Sequence, residues 1–309
     1  PVRATPYHAA KHLDEAALTR YRELAAAGGW PAIGAGDPLQ PGTRDPRVVV
    51  LRNRLRATGD FTGLPATADA WFYDAPLARA VAAFQARHGL PETGAPDART
   101  VAALDVPAAD RAAQLAATLT RWTWLPRDFG VRYLFVNVPA GTLDLVEDGA
   151  STLTMRVIAG HPSRPTPSFA DQVEAIVLNP SWSVPRTIAV EDLLPDQQSD
   201  PGYLGRLGIR VYEDTAAGPG RELDPARIDW RRLGPDRFPY RLVQRPGPAN
   251  SLGRYKFVLG NDFDIYLHDT PSRGLFDLNS RTLSSGCIRL EAPEALAARL
   301  VAGEPGGIS

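Results

Sequence analysis

One thiol and one imidazole carry the clearest chemical pattern in this sequence. Cys287 is the only cysteine of the 309 residues, and it follows the short polar run Ser284-Ser285-Gly286. His268 lies earlier in the chain, near the end of the strand-like segment DIYLHD. A cysteine thiol needs a nearby base to react at neutral pH, because its ordinary pKa is about 8.5. The pair predicts nucleophilic catalysis, whereas a lone cysteine is otherwise most often an inert buried side chain.

The residues around this pair suit the same chemistry. Gly286 allows a tight turn that exposes consecutive backbone N–H groups, as an oxyanion hole requires. Arg289 adds positive charge that either favours the thiolate or binds a carboxylate. Tyr266 shares a strand face with His268, because side chains two positions apart point to the same side of a strand.

The other histidines give no metal pattern. His8 and His12 have HxxxH spacing but lack the glutamate of an HExxH motif, since residue 9 is alanine, and His88 and His161 stand alone. The glycine-containing turns match neither a dinucleotide fingerprint nor a phosphate loop. We therefore expect neither a metal nor a cofactor.

The elements that must position these residues change type along the chain. Apolar residues at helical spacing predict a helix over 9–27, three short helices within 46–104 and another helix over 107–121. The period then switches to two, which predicts strands, and a last helix is expected over 293–301. The predicted strands cover 133–138, 142–147, 153–160, 173–179, 255–260 and 264–269. The fold class is therefore α+β: a small all-α module followed by a mainly antiparallel β domain.

A long segment interrupts the β domain. Residues 186–254 lose the regular alternation, are rich in Pro and Gly, and contain a short predicted helix near 189–194. Insertions of this length are usually functional, so one interpretation is a lid over the active site. The alternative is that the insertion belongs to the core, because it carries Leu207, Ile209, Val211, Ile228, Trp230 and Leu233.

Composition limits the classes of function. Net charge is −1 and no block of five like charges occurs, so nucleic-acid binding is not expected. Nearly all basic residues are arginine, which we attribute to genome composition and not to function. Hydrophobic residues make up 44% of the chain, which is ordinary for a folded globular protein. No apolar run approaches the roughly 18–20 residues that span a bilayer, and the first residues lack the core of a signal peptide.

Two stretches resemble known families. Within 46–106, the order Phe84-Gln85, Gly94, Asp97 and Thr100 resembles the small peptidoglycan-binding module, although a plain three-helix spacer would also fit. His268, fifteen residues and then Ser284-Ser285-Gly286-Cys287 resembles the signature of the L,D-transpeptidase catalytic domain, called YkuD. The likeness to the large Gram-negative subgroup with a capping insertion also covers 121–130, 137–149, 166–169, 178–208 and 245–257.

The resemblance implies a role for each site residue. Cys287 would be the nucleophile and His268 the base, oriented by the backbone carbonyl of Asp269. The N–H groups of Gly286 and Cys287 would hold the oxyanion. The commonest family motif has a second histidine where this chain has Ser285, as the capped subgroup also does, so His268 is left as the base.

The resemblance also implies substrate contacts. Tyr266 would be either a strand aromatic or a pocket wall with its hydroxyl near the oxyanion. Trp182 would be either a core residue or a platform for the stem peptide. Asn179, Ser285 and Arg289 are further candidates for contact with the substrate.

The implied organisation has four parts. They are an N-terminal helix with a Pro/Gly-rich segment (1–45), the helical module (46–106), a connecting helix (107–125) and the catalytic domain (126–309) with its capping insertion (186–254). The chain ends soon after its last predicted helix, where the subgroup usually continues with further strands, so we expect either a trimmed chain or a shorter branch. We expect a periplasmic monomer whose targeting segment is absent from this chain.

The implied reaction is crosslinking of peptidoglycan. Cys287 would attack a donor stem peptide and form a thioester with it. The side-chain amine of diaminopimelate in a neighbouring stem would then attack the thioester, giving 3-3 or 1-3 crosslinks. The partners would be stem peptides and glycan strands, with carbapenems as inhibitors. The same site with water as the acceptor would be a carboxypeptidase or endopeptidase. A wall-binding protein with an inactive site is a third interpretation, which the presence of both His268 and Cys287 disfavours.

Overall fold

The computed structural model describes residues 6–63, 69–126 and 128–302, and for residues 6–13 the backbone alone. The outer ends of the predicted first and last segments, residues 1–5 and 303–309, lie outside this part. So do the side chains of His8 and His12 and residue 127 of the matched stretch 121–130. Contacts divide the chain into two compact units: Pro1–Tyr133 with Val146–Ser151, and Leu134–Leu145 with Thr152–Ser309. None of the described helices is both long and apolar enough to cross a membrane.

The first unit is helical, as its sequence pattern predicts. Its helices are α1 (Pro6–Ala26), α2 (Arg47–Thr58), α3 (Ala75–Arg87), α4 (Ala98–Asp105) and α5 (Ala108–Trp122). Asp74 and Asp97 cap α3 and α4, since each side chain accepts a backbone N–H from the first turn. The core of the module is formed by apolar side chains at helical spacing, including Leu51, Leu55 and Phe84.

The polar residues of the module motif serve its own fold. Gln85 is buried, donates hydrogen bonds to the Ala95 carbonyl and the Thr100 hydroxyl, and accepts the Gly94 N–H at 2.9 Å. Gly94 has a φ of +68°, and a Cβ there would lie 3.0 Å from the Ala78 carbonyl oxygen. This motif therefore fixes the turn between α3 and α4.

The second unit contains the strands. They are β1 (Arg132–Asn137), β2 (Thr142–Glu147), β3 (Ala150–Gly160), β4 (Val173–Leu178), β5 (Trp182–Ser183), β6 (Ile209–Thr215), β7 (Gly218–Leu223), β8 (Tyr240–Gln244), β9 (Tyr255–Leu259), β10 (Leu267–His268), β11 (Thr282–Ser284) and β12 (Ile288–Leu290). Within the described residues, one sheet runs β1-β2-β3-β12-β10-β9-β4, and β11 pairs with β3.

The fold class predicted from the sequence, α+β with a mainly β catalytic domain, is confirmed. The structure adds that two strand pairs, β10 with β12 and β11 with β3, are parallel, whereas β12–β3, β9–β10 and β4–β9 are antiparallel. The predicted strand 264–269 shortens to β10, because Asp264 has a φ of +55° and the Asn261 side chain holds a turn through the Ile265 backbone. The helix α9 (Pro293–Val301) packs Leu296 and Ala297 into the core of this sheet.

The insertion forms a substructure of its own, which we call the cap (186–254). Its strands β6, β7 and β8 join the preceding strand β5 in a second sheet of order β5-β8-β6-β7. The short helix predicted near 189–194 is longer, running through α6 (Arg186–Ile188), a π-helical turn (Ala189–Leu193) and α7 (Leu194–Ser199), with α8 (Tyr203–Arg206) after it. The described residues also form three short 3₁₀ helices: Pro225–Arg227 and Trp230–Arg232 in the cap, and Arg273–Asp277 after it.

Candidate active site

Parallel pairing of β10 with β12 brings the two predicted catalytic residues to neighbouring strands. Leu267 lies opposite Ile288 and His268 opposite Arg289, while the Ile288 N–H donates to the Tyr266 carbonyl at 3.1 Å. Cys287, which precedes β12, thereby comes beside Tyr266, and the Tyr266 ring centroid is 5.6 Å from that of His268.

The His268 imidazole is buried, with 5% of its surface exposed, and its tautomer is fixed. Its Nδ1 hydrogen-bonds to the Asp269 backbone oxygen, which can only accept, so the proton is on Nδ1 and the lone pair is on Nε2. Burial, together with the positive charges of Arg289 and Lys256, lowers the pKa of His268 to about 3. The ring is therefore neutral at pH 7.

The Asp269 side chain holds this backbone in place. One carboxylate oxygen accepts the Arg254 N–H at 2.8 Å, and the other accepts the Thr270 N–H at 2.7 Å and pairs with Arg273. Gly253 leaves room for the carboxylate, since a Cβ there would lie 2.3 Å from Asp269 Cγ. A buried, saturated carboxylate of this kind positions the carbonyl that the His268 ring uses.

Cys287 is half-buried and carries a protonated thiol. Its Sγ donates to the Asp264 carbonyl at 3.6 Å, and no hydrogen bond joins it to His268 in this structure. Burial raises the pKa of the Cys287 thiol, although hydrogen bonds from Tyr266 and the charges of Lys256 and Arg289 act in the opposite direction.

The Gly286 N–H, predicted to hold the oxyanion, has another acceptor in this structure. Gly286 has a φ of +117°, which makes the tight turn, but its N–H donates to the Ser284 hydroxyl at 3.2 Å. Thr166 also donates its hydroxyl to the Gly286 carbonyl at 2.6 Å. Within the described residues the Cys287 N–H has no protein acceptor, so this N–H is a free donor next to the sulfur, whereas the Tyr266 hydroxyl already hydrogen-bonds the thiol.

Tyr266 and Trp182 face a cavity of about 510 Å³ between the cap and the catalytic sheet. Burial raises the pKa of the Tyr266 hydroxyl, and a hydrogen bond from Trp182 opposes that effect. Trp182 lines this cavity and also packs against the cap core, so both interpretations of it hold in part. Arg186, Arg241 and Lys256 supply positive charge to the cavity.

Ser285 contacts the cap through an arginine. Its hydroxyl accepts Arg164 Nη1 at 3.0 Å, and the same guanidinium pairs with Asp192 and Glu191 of the cap at 2.7 Å each. Asn179 lies apart from the cavity: it is exposed, has a φ of +47° and joins β4 to β5 through its backbone. The structure thus brings Cys287, His268, Asp269, Gly286, Tyr266, Ser285, Arg289 and Trp182 together, and leaves Asn179 out.

Two residues of the site were missed from the sequence. Lys256 lies opposite His268 on β9, and its Nζ is 4.0 Å from the centre of the Tyr266 ring. Lys256 is one of only two lysines in an arginine-rich chain, and this rarity could have marked it as a candidate site residue. Arg164 had no signal, since its partners are distant in sequence. In the part of the chain that the structure describes, no group of three or more His, Cys, Asp or Glu side chains could hold a metal.

Two family models and one curated relative match this chain. The model of the YkuD family, described as "L,D-transpeptidase catalytic domain", matches residues 131–308. A second model, described as "Putative peptidoglycan binding domain", matches residues 44–104. A Haemophilus influenzae protein named "Putative L,D-transpeptidase" is 41% identical over 168 residues, which are 54% of this chain and 33% of that protein. The matched segment thus spans one third of the length of this relative.

Solved structures of L,D-transpeptidases are also similar. One from Stackebrandtia nassauensis is 15% identical, with 84% of this chain and 90% of that chain covered and a TM-score of 0.33. The catalytic domain from E. faecium, acylated by ertapenem, is 14% identical, with 58% of this chain and 95% of that chain covered and a TM-score of 0.30.

Proposed function

The chain belongs to the YkuD family of L,D-transpeptidase catalytic domains, and from this premise we propose that it is a cysteine acyltransferase that crosslinks peptidoglycan stem peptides. The observation that carries the proposal is the parallel pairing of β10 with β12. It brings the thiol of Cys287 beside Tyr266, two residues along the strand from the buried imidazole of His268, whose Nε2 carries a lone pair. The helical module, matched by a peptidoglycan-binding model, supports a wall substrate.

Acylation begins with proton transfer. Nε2 of His268 takes the thiol proton as Cys287 Sγ attacks the carbonyl of the L-centre residue in a donor stem peptide. The Cys287 N–H and the Tyr266 hydroxyl are placed to hydrogen-bond the developing oxyanion. When the C–N bond breaks, the departing D-amino acid or peptide takes the proton from Nε2 and leaves a thioester on Cys287.

Deacylation reverses these roles. The side-chain amine of diaminopimelate from a second stem attacks the thioester, His268 takes a proton from that amine, and the thiolate leaves and regains this proton. The crosslink is then an amide, and the enzyme returns to its starting state. Water in place of the amine would give hydrolysis by the same steps, so the cap over the cavity favours the amine by limiting access of water.

The remaining parts of the proposal follow from the substrate. An enzyme of mature peptidoglycan acts outside the cytoplasm, so we place this one in the periplasm, as a monomer that contacts stem peptides and glycan strands. Carbapenems, which carry a reactive acyl group, would acylate the same thiol.

The test uses purified disaccharide-tetrapeptides with the wild-type chain and Cys287→Ala. We expect a transient mass adduct on the wild type and crosslinked dimers among the products, with neither in the variant. Tandem mass spectrometry of the dimers distinguishes 3-3 from 1-3 linkage. Hydrolysed stems without dimers would instead establish a carboxypeptidase or endopeptidase. The absence of any adduct or product would contradict the proposal and leave the wall-binding interpretation.

A further inference from the structure

Two cations stand on either side of the His268 imidazole, in one row across the sheet. Lys256 of β9 and Arg289 of β12 are both register partners of His268 in β10. Directly paired residues of neighbouring strands project from the same face of a sheet. The next row along this face holds Tyr266 and Cys287, so Arg289 lies about 7 Å, two residues of strand, from the nucleophile. Lys256 is further from Cys287, because β10 lies between its strand and β12.

Neither cation has an acidic partner among the described residues. Lys256 makes no ion pair or hydrogen bond through Nζ and contacts the Tyr266 ring face. Arg289 forms no ion pair, and its buried Nε has no hydrogen-bond partner. Two other arginines near this sheet, Arg156 and Arg273, are each paired with a carboxylate. Partly buried cations without a counter-charge are costly, and they attract an anion.

We propose that Lys256 and Arg289 form a carboxylate site, which binds a carboxylate of the donor stem peptide next to the scissile bond. This deepens the proposed function and depends on it. Two carboxylates of such a donor lie within a side chain's length of the scissile carbonyl: that of the terminal D-residue, and the one at the far end of diaminopimelate. Lysine and arginine both bind carboxylates through charge-assisted hydrogen bonds.

Occupancy of this site changes the base as well as the affinity. With the site empty, the charges of Lys256 and Arg289 both lower the pKa of His268, together with burial. A bound carboxylate offsets part of this positive field, so the pKa of His268 rises and Nε2 becomes a stronger base. Binding of the correct donor thereby prepares the imidazole for proton transfer.

The test compares three donor peptides: one with free carboxylates, one with the terminal D-residue as its carboxamide, and one with the far carboxyl of diaminopimelate as its carboxamide. The second-order rate of Cys287 acylation is measured by intact mass. We expect one carboxamide to react about 10- to 100-fold more slowly with the wild type, as the loss of a charged hydrogen bond predicts. Which of the two does so identifies the carboxylate that is bound.

Variants then assign the effect to the cation. Lys256→Met should react with the peptide that has free carboxylates as slowly as the wild type reacts with the slower carboxamide. It should therefore react with all three peptides at similar rates. Lys256→Arg should keep the difference in rate between them. Arg232→Met removes a charge from an arginine with a 78% exposed side chain and serves as the matched control. Lys256→Gln replaces Lys256→Met if the latter lacks a cooperative thermal transition.

Three outcomes are separable. Equal acylation of all three peptides by the wild type would overturn the carboxylate site while leaving the acyltransferase intact. Discrimination that survives in Lys256→Met would overturn the role of Lys256. If no peptide acylates the wild type although iodoacetamide, which is neutral, alkylates Cys287, the proposed function itself fails, and the carboxylate site with it.

Discussion

Burial sets the charge state of both reacting groups before substrate arrives. It raises the pKa of Cys287 and lowers the pKa of His268 to about 3, so the resting pair is a neutral thiol and a neutral imidazole. No hydrogen bond joins the two side chains. The thiol proton must therefore move to His268 Nε2 during the attack on the carbonyl, and the resting thiol is protected from unwanted reaction with small electrophiles.

The first prediction concerns the pH dependence of Cys287 alkylation in the substrate-free protein. The thiolate is the reactive form, and a raised pKa means that little of it exists at neutral pH. We expect the rate of alkylation by iodoacetamide to rise about tenfold per pH unit from pH 7 to 8.5, without a plateau at lower pH. Mass spectrometry of quenched samples measures it. A rate that is already constant below pH 7 would mean a preformed thiolate–imidazolium pair.

The second prediction concerns the base. His268→Gln should lower the rate of acylation by a donor peptide or a carbapenem by about 10²- to 10⁴-fold, which is the usual worth of a general base. The control is His161→Gln, because His161 is exposed and its ring contacts Ser163. Both variants should retain a cooperative thermal transition. Acylation by His268→Gln at the wild-type rate would remove the imidazole from the mechanism.

At this scale, sequence reasoning found the residues that lie close together in a motif. Cys287, Gly286 and Arg289 belong to one short segment, and His268 lies on the strand that pairs with it. Lys256 could not be found in the same way, because its place opposite His268 depends on the register between two strands. The use of the Gly286 N–H was also not predictable, since it follows from the rotamer of Ser284.

At the scale of elements, the loop after β3 forms hydrogen bonds with the segment that carries the nucleophile. The His161 N–H donates to the Ser284 carbonyl at 2.8 Å, and Thr166 donates its hydroxyl to the next carbonyl but one, that of Gly286. Gly160 makes this loop possible, because a Cβ there would lie 2.4 Å from the Arg164 carbonyl oxygen. The nucleophile segment is therefore held by backbone as well as side-chain contacts.

Arg164 extends this loop to the cap and gives the third prediction. Its guanidinium bonds Ser285 at 3.0 Å and the cap residues Asp192 and Glu191 at 2.7 Å. Arg164→Met should loosen the cap over the thioester and raise the ratio of hydrolysed to crosslinked product. The cost in stability should be small, about 1 kcal/mol, because the acidic partners are exposed.

The comparison for this prediction is Arg232→Met, which removes a charge from the cap surface without touching the nucleophile segment. Product ratios are measured by chromatography of the muropeptides after equal turnover. Ser285→Ala should shift the ratio in the same direction but less, because the pairs with Asp192 and Glu191 remain. An Arg164→Met protein with the wild-type ratio would show that this contact does not restrain the cap.

Periodicity predicted most of these elements, and tertiary contacts decided the rest. The helices α2 to α5 and the strands β2 and β9 fall close to their predicted bounds, because each carries a clear apolar face. The parallel β10–β12 pair could not be read from alternation, which is the same for parallel and antiparallel strands. The helical run 186–199 was underestimated because Pro195 interrupts its pattern.

For the whole molecule, the insertion has a hydrophobic core separate from that of the catalytic sheet. The six apolar residues that suggested a core role, from Leu207 to Leu233, all pack in or against a cluster confined to the cap and its flanking strand β5. The catalytic sheet has a separate cluster that includes Phe257, Leu267 and Ile288. The cap is thus a folded substructure with its own core, so it can act as a rigid cover.

The last prediction tests this independence by deleting the cap between β5 and β8. The strands pair with each other, and the Val184 N–H donates to the Leu242 carbonyl at 2.9 Å, so removing 186–239 leaves two ends that a short glycine–serine linker can join. Because the core of the catalytic sheet contains none of the deleted residues, the variant should keep a cooperative thermal transition. Iodoacetamide should alkylate its Cys287 faster, and hydrolysis should increase relative to crosslinking, because the thioester meets bulk water.

The matched control for the deletion inserts three glycines at the turn 216–217, which lengthens the β6–β7 hairpin and keeps the cap core. This control should behave as the wild type in thermal stability and product ratio. A deletion variant without a cooperative transition would show that the two clusters fold as one unit. A folded deletion variant that crosslinks with an unchanged product ratio would show that water is excluded by the catalytic sheet itself, since the cap would then contribute nothing to the lifetime of the acyl-enzyme.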